Sequence, residues 1–161
     1  MPRTNNLDST DRKLLALLQE NAKLTTQELA DRLNLTKTPV FERIRKLERE
    51  GYIEGYSARL NREKLDLGLM VFCNVTLDAH QQRFLQKFEE DVQGLDEVVA
   101  CYHTGGTYDY LLHVIVPDMN TYYDFVTLKL ARLDNIHNVQ SAFVLKEVKG
   151  FAGLPGPFTE L

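Results

Sequence analysis

Apolar positions over the first fifty residues recur at helical spacing, in three short bursts separated by polar breaks. Leu14, Leu15, Leu17 and Leu18 form the first stripe, which follows the cap-forming run Asp8-Ser9-Thr10-Asp11 and ends near Asn21. Leu29, Ala30 and Leu33 form the second, opened by Thr25 or Thr26, with Glu28 placed for a capping box. Asn34-Leu35 makes a tight turn. A third helix then starts after Thr36, tolerates Pro39 in its first turn, and stops at Gly51. Tyr52 to Leu60 reads as a small strand or wing, followed by the polar linker residues Asn61-Arg62-Glu63-Lys64.

From Gly68 the rhythm changes. Four β-rich runs follow, Leu69 to Leu77, Val98 to His103, Tyr108 to Val116 and Val139 to Val148. Phe84, Leu85, Phe88 and Val92 make one helical face between them, and Tyr122, Phe125, Val126, Leu130 and Leu133 make another. Thr104-Gly105-Gly106-Thr107 is a hairpin-type connection between the second and third runs. The order is βαββαβ, the ferredoxin-like split arrangement. Two helices cover one sheet face. The other face has no helix of its own, so a partner subunit is expected to bury it.

Projection of the third helix at 100° per residue separates two faces. Val40, Ile44 and Leu47 share a narrow arc toward the core, while Thr38, Glu42, Arg45 and Arg49 lie opposite, with Lys46 at the edge. Arg43 falls near the buried side. Three helices with a tight turn before a basic third one describe a helix-turn-helix, here winged. Its N-terminal residues Lys37, Thr38, Pro39 and Glu42 lie where base edges are read. Arg45, Lys46 and Arg49, farther along, suit phosphates. The free N–H groups near Thr26 and Gln27 suit another phosphate. Phe41, beside the exposed face, suits either a thymine methyl or packing on the wing.

Charge sharpens this picture. The 161 residues carry a net charge of −4, yet residues 1–60 hold eleven basic and nine acidic side chains, against eight and fourteen in the remainder. A basic segment in an acidic chain suggests a local polyanion contact, although a solvated helix with internal ion pairs fits the same charges. Cys73 and Cys101 lack CxxC spacing and fit a reducing compartment. The polar start Met1-Pro2-Arg3-Thr4-Asn5-Asn6 shows no secretory pattern, and no apolar run approaches the roughly 20 residues of a membrane span, so a cytoplasmic protein is expected. His80, His103, His113 and His137 share no metal-ligand spacing, and no cofactor is expected. Cys101 and His103 share strand parity, but no nucleophile motif accompanies them, so no enzyme is expected.

The expected architecture is therefore α+β. A winged helix-turn-helix DNA-binding domain spans 1–60, a linker 61–67, a ferredoxin-like domain 68–149 and a Gly/Pro-rich tail 150–161, whose Phe151 and Phe158 suit docking on a neighbour.

From about Leu7 to Lys149 the order of parts resembles the Lrp/AsnC, or feast/famine, family of regulators. Leu7-Asp8-Ser9-Thr10-Asp11-Arg12-Lys13-Leu14-Leu15 is similar to the family's opening, and Leu35 to Glu48 to its recognition-helix signature. Gly51-Tyr52-Ile53-Glu54-Gly55-Tyr56 resembles its wing, and Gly106-Thr107-Tyr108-Asp109-Tyr110-Leu111-Leu112 its effector loop. The resemblance implies a transcription regulator of double-stranded DNA. Its second domain would dimerise through the sheets, bind a small effector, usually an amino acid, and build rings, often octamers. The sequence departs from the common pattern at Gly105, where many members carry Ser or Thr.

On that reading, Gly105-Gly106 lets the backbone approach a ligand, and exposed N–H groups there suit a carboxylate. Asp109 would answer an α-ammonium, Tyr108 would supply a wall or a hydroxyl, and Thr104 and Thr107 further hydroxyls. His103 adjoins the loop, and Gln140 and Ser141 of a neighbouring subunit's last strand would complete the site. The local sequence alone favours a bare hairpin turn with Asp109 as a turn residue, and the resemblance reverses that preference. An architectural DNA-compacting protein with no effector is the alternative function.

Overall fold

Helix caps set the boundaries of the N-terminal unit. The computed structural model describes residues 7–150 and 153–155. Asp8 caps α1 (Ser9–Glu20) through a reciprocal box with Asp11, and Thr25 caps α2 (Thr26–Leu33) in the same way with Glu28. Asn34, in the left-handed region at φ 54°, turns the chain into α3 (Lys37–Arg49). Thr36 stands at the N-cap of α3 but makes no side-chain cap bond. Beyond Glu50, Gly51 adopts φ +75°, a conformation that L side chains resist, and the Tyr52 and Ile53 N–H groups return to the Leu47 carbonyl. Leu14, Leu29, Ala30, Val40 and Leu47 are buried at the centre of this unit.

The segment expected as a β wing is irregular: residues 51–60 form no strand. A single extended segment needs a second strand to complete a ladder, and none is supplied here.

A four-stranded antiparallel sheet, order β2-β3-β1-β4, forms the second unit. Its strands are β1 (Leu69–Leu77), β2 (Val98–His103), β3 (Tyr110–Val116) and β4 (Ile136–Phe143). Helices α4 (Gln82–Gln93) and α5 (Met119–Asp124) complete the βαββαβ order. Period-two alternation sends Val71, Cys73, Val75, Tyr110, Leu112 and Val114 into the core with Phe88, Val92, Tyr122, Phe125 and Leu130 from the helical side. Phe72, Asn74, Leu111 and His113 point to the opposite face, where no helix of this unit lies.

Besides the wing, the third β run begins at Tyr110 rather than Tyr108, and two further elements differ from expectation. The last strand lies at Ile136–Phe143 rather than 139–148. Pairing decides its end: Phe143 stands opposite Val71 and the Val144 N–H reaches Met70, which leaves β1 one residue, Leu69, beyond that point. Leu145 and Val148 are consequently exposed. The second helical stripe is not one helix either. After α5 the backbone widens into a π segment, Phe125–Lys129, and then tightens into a 3-10 turn, Leu130–Arg132. Phe125 and Leu130 are five apart and both buried, which the wider turn allows on one face.

The chain divides into two units, Met1–Arg59 with Lys149–Leu161, and Leu60–Val148. Leu154 exchanges two hydrogen bonds of 3.0 Å with the Gln19 side chain, which ties it to the first unit. Phe151 and Phe158 lie outside the described residues. Among the described residues, no helix is long and apolar enough to cross a membrane.

Candidate nucleic-acid interface and effector loop

The exposed face of α3 is built by what lies beneath it. Val40 and Leu47 are fully buried, and this fixes the helix rotation. Lys37, Thr38, Pro39, Glu42, Arg45 and Arg49 are left exposed. Arg43, on the buried side, is drawn across to α1, where its guanidinium lies 2.5 Å from Asp11 and 2.7 Å from Asp8. Asp11 is only 1% exposed. The Arg43 charge is thus spent inside the unit, and its hydrogen bonds to Asp11 and then Asp8 raise its already high pKa. Lys46 also leans toward this cluster, 3.5 Å from Asp11. This places Lys46 partly in an internal pair, where the sequence reading sets it against phosphate. Arg45 instead lies over the Phe41 ring, 5.2 Å from its centroid.

Near α2's start, Thr26 is half-buried and Gln27 is exposed. The Gln27 side chain donates to Asp31 at 2.8 Å. Glu28 accepts from the Thr25 N–H at 2.7 Å, and that bond, followed by the Thr25 hydroxyl, lowers its pKa. A carboxylate therefore already stands beside the N–H groups assigned to a phosphate.

The 104–109 connection is held by its own polar groups. The Thr104 N–H donates to the Asp109 carbonyl and its hydroxyl to the Tyr108 carbonyl, both at 2.8 Å. The Asp109 carboxylate accepts from the Leu77 N–H at 2.7 Å and pairs with His80 at 2.9 Å. Its pKa is lowered: burial acts most strongly, in the raising direction, but the Leu77 and His80 bonds together outweigh it. Gly105, Gly106 and Thr107 are exposed at the tip, and Gly106 adopts φ +146°. A Cβ at Gly105 would meet nothing within 4 Å, so space alone does not require glycine there.

The two residues named on the last strand part company. Gln140 shares the uncovered face with Asn74 and accepts from the Tyr108 hydroxyl. Ser141 pairs with Cys73 and turns inward, 2.5 Å from the Tyr122 hydroxyl. Strand alternation therefore brings Gln140 to the loop and takes Ser141 away from it. His103 stacks on Tyr110, with ring centroids 4.7 Å apart. The sequence reading missed His80, which reaches Asp109 across 29 residues, and the Asp8–Asp11–Arg43 clamp, where only the helical projection of Arg43 hinted at burial.

Two family matches cover these same regions. Residues 7–54 match a winged helix-turn-helix DNA-binding family, and residues 70–154 match the Lrp/AsnC ligand binding domain. The chain belongs to the Lrp/AsnC family. Its relatives include the leucine-responsive regulatory protein of Escherichia coli K12, 39% identical over 144 residues, which span 89% of this chain and 88% of that one. A transcriptional regulator from Neisseria meningitidis, solved with L-methionine, superposes with a TM-score of 0.88 at 38% identity, covering 92% of this chain and 96% of that chain. An AsnC family regulator from Agrobacterium tumefaciens gives 0.88 at 36%, covering 92% and 97%.

This Lrp/AsnC protein is a DNA-binding transcription regulator with a ligand-binding domain, and not an enzyme. Partial burial of the Cys101 thiol, then the Glu89 charge, pushes its pKa up to about 11.

Proposed function

We propose that this regulator reads DNA with the exposed face of α3 and adjusts its assembly to an amino-acid effector bound at the 104–109 loop. One observation carries the reading: Lys37, Thr38, Glu42, Arg45 and Arg49 stay open to solvent directly above fully buried Val40 and Leu47. Lys37, Thr38, Pro39 and Glu42 lie toward the helix start and face base edges. Arg45 and Arg49 face phosphates, with Lys46 shared between phosphate and Asp11, and Thr26 and Gln27 offer backbone N–H groups to a neighbouring phosphate.

The uncovered sheet face supports a homodimer, and such dimers build toward an octamer by analogy with the family. The neighbouring regulator from Neisseria meningitidis was solved with L-methionine, which supports an amino acid as effector. Gly105, Gly106 and Thr107 offer the open backbone for its carboxylate. Tyr108 and Gln140 supply polar walls, His103 and Thr104 border the loop, and Asp109 is already engaged by His80. Ser141 would contribute only through the core network behind the strand. The protein acts in the cytoplasm, where its DNA lies.

Binding should weaken on every sequence alike when Arg45 or Arg49 becomes Ala, with the log–log salt slope falling by about 0.9 for each phosphate no longer neutralised. Unchanged affinity in the Arg45→Ala/Arg49→Ala double variant rejects the interface. One observation favours the architectural alternative: the polar groups of Thr104, Tyr108 and Asp109 are taken up by partners within the chain. A thermal-shift screen against the amino acids separates the readings, because a ligand raises stability by RT ln(1 + [L]/Kd). No shift at millimolar concentration with any of them would support DNA compaction without an effector.

A further inference from the structure

We propose that Phe41 is a base-reading residue, contacting the 5-methyl group of a thymine in the major groove with the Arg45 guanidinium stacked on its ring. The inference rests on the reading of the exposed α3 face as the DNA interface. Phe41 lies one turn into α3, the part of a reading helix whose side chains reach base edges. It is 43% exposed, and the core of the helical unit closes without it. In the segment after α3, the Tyr56 hydroxyl goes to Glu48 at 2.9 Å, three residues beyond Arg45. Among the described residues, no aromatic ring stacks on Phe41, and its ring is met by Arg45 at 5.2 Å from the centroid.

A phenylalanine left 43% exposed on an otherwise polar helix face, outside the buried core of its unit, costs solubility. The thymine methyl is the apolar feature of the major-groove edge, and an aromatic ring is a suitable partner for it. The stack also serves Arg45. A guanidinium laid on a ring has fewer rotamers to lose on binding, so its charge arrives already aimed. Phe41 and Arg45 are four apart, which puts both on one flank of the helix. Phe41 would thus read one base while ordering the neighbouring cation.

The test uses the full chain and a site selected from random DNA. Each thymine of that site is replaced singly by deoxyuridine, which removes only the methyl. Affinities of wild type, Phe41→Ala and Phe41→Leu are then measured by fluorescence anisotropy at fixed salt. At one thymine or more, methyl removal should weaken wild type about fourfold, the value of burying one methyl-sized group. The same removal should leave Phe41→Ala unchanged. Phe41→Leu, which keeps an apolar contact and a safe helix, should retain part of the discrimination. Arg45→Ala should keep the methyl dependence on a lower overall affinity. Equal losses in wild type and Phe41→Ala at every thymine, or no loss in wild type anywhere, overturn the proposal while leaving the interface intact. Failure of the wild type to enrich any DNA sequence overturns the interface and this inference together.

Discussion

Asp11 shows how one side chain ties α3 to α1. Its carboxylate is withdrawn from water and matched by Arg43, with Lys46 close by. Removing Arg43 leaves the buried Asp11 carboxylate facing Lys46 alone, at 3.5 Å. Arg43→Ala should therefore destabilise the helical unit by about 2–3 kcal/mol, a value reduced for the partial exposure of Arg43, as read by urea unfolding. Asp8 adds a pH dependence. The Asp11 N–H, and after it Arg43, hold its carboxyl below the ordinary 3.8. The linked stability is complete above that ordinary value and is lost as pH falls through the depressed one. At the hairpin tip the two glycines should behave differently. Gly105→Ser meets open space and should leave the melting temperature unchanged, whereas Gly106→Ser must adopt φ +146° and should cost about 1 kcal/mol or more.

Among the elements, the tie between α5 and the sheet is chemical as well as apolar. The Tyr122 hydroxyl lies 3.1 Å from the Cys73 sulfur on β1 and 2.5 Å from the Ser141 hydroxyl on β4. Burial, then the bond to Cys73, raises the Tyr122 pKa well above its ordinary value, so it remains a neutral phenol. Tyr122→Phe should destabilise the sheet unit by about 1–2 kcal/mol, measured by chemical unfolding, because Ser141 and Cys73 lose a buried partner.

The same elements show which features a sequence reveals. Caps at Asp8, Thr25 and Gly51 were legible, because each is decided within four residues of itself. The span of β1, Leu69–Leu77, was legible as a β-rich run. The end of β4 was not, because it depends on where β1 runs out of partners. Nor was the π segment, since a periodic stripe does not say that Phe125 and Leu130 must share a face five residues apart. At the hairpin, the glycines could be read from the sequence, but the capture of Asp109 by His80 is a product of the fold.

At the scale of the whole molecule, the uncovered sheet face carries its own acid sensitivity. His113 sits there stacked on Phe72, with centroids 4.8 Å apart, and its Nε2 is buried without a hydrogen-bond partner among the described residues. Burial, then the positive charge of Arg62, lowers its pKa below 6.5, while Glu147 acts in the opposite direction. A histidine held neutral in this way contributes stability that is complete above about 6.5 and is lost as pH falls through the depressed value. Thermal melts between pH 5 and 8 should show wild type falling away on the acid side more steeply than His113→Gln, since Gln carries no titratable charge. Equal slopes would show that the imidazole is free to ionise in place.

The self-bonded hairpin has a consequence for dose. Where hydroxyls, carbonyls and a carboxylate already bind one another, an incoming metabolite exchanges contacts more than it adds them. On the proposed effector reading, such a receptor responds to plenty and ignores traces. Its titration midpoint should fall in the concentration range of a well-fed cell's pools, not in the nanomolar range of a scavenging receptor.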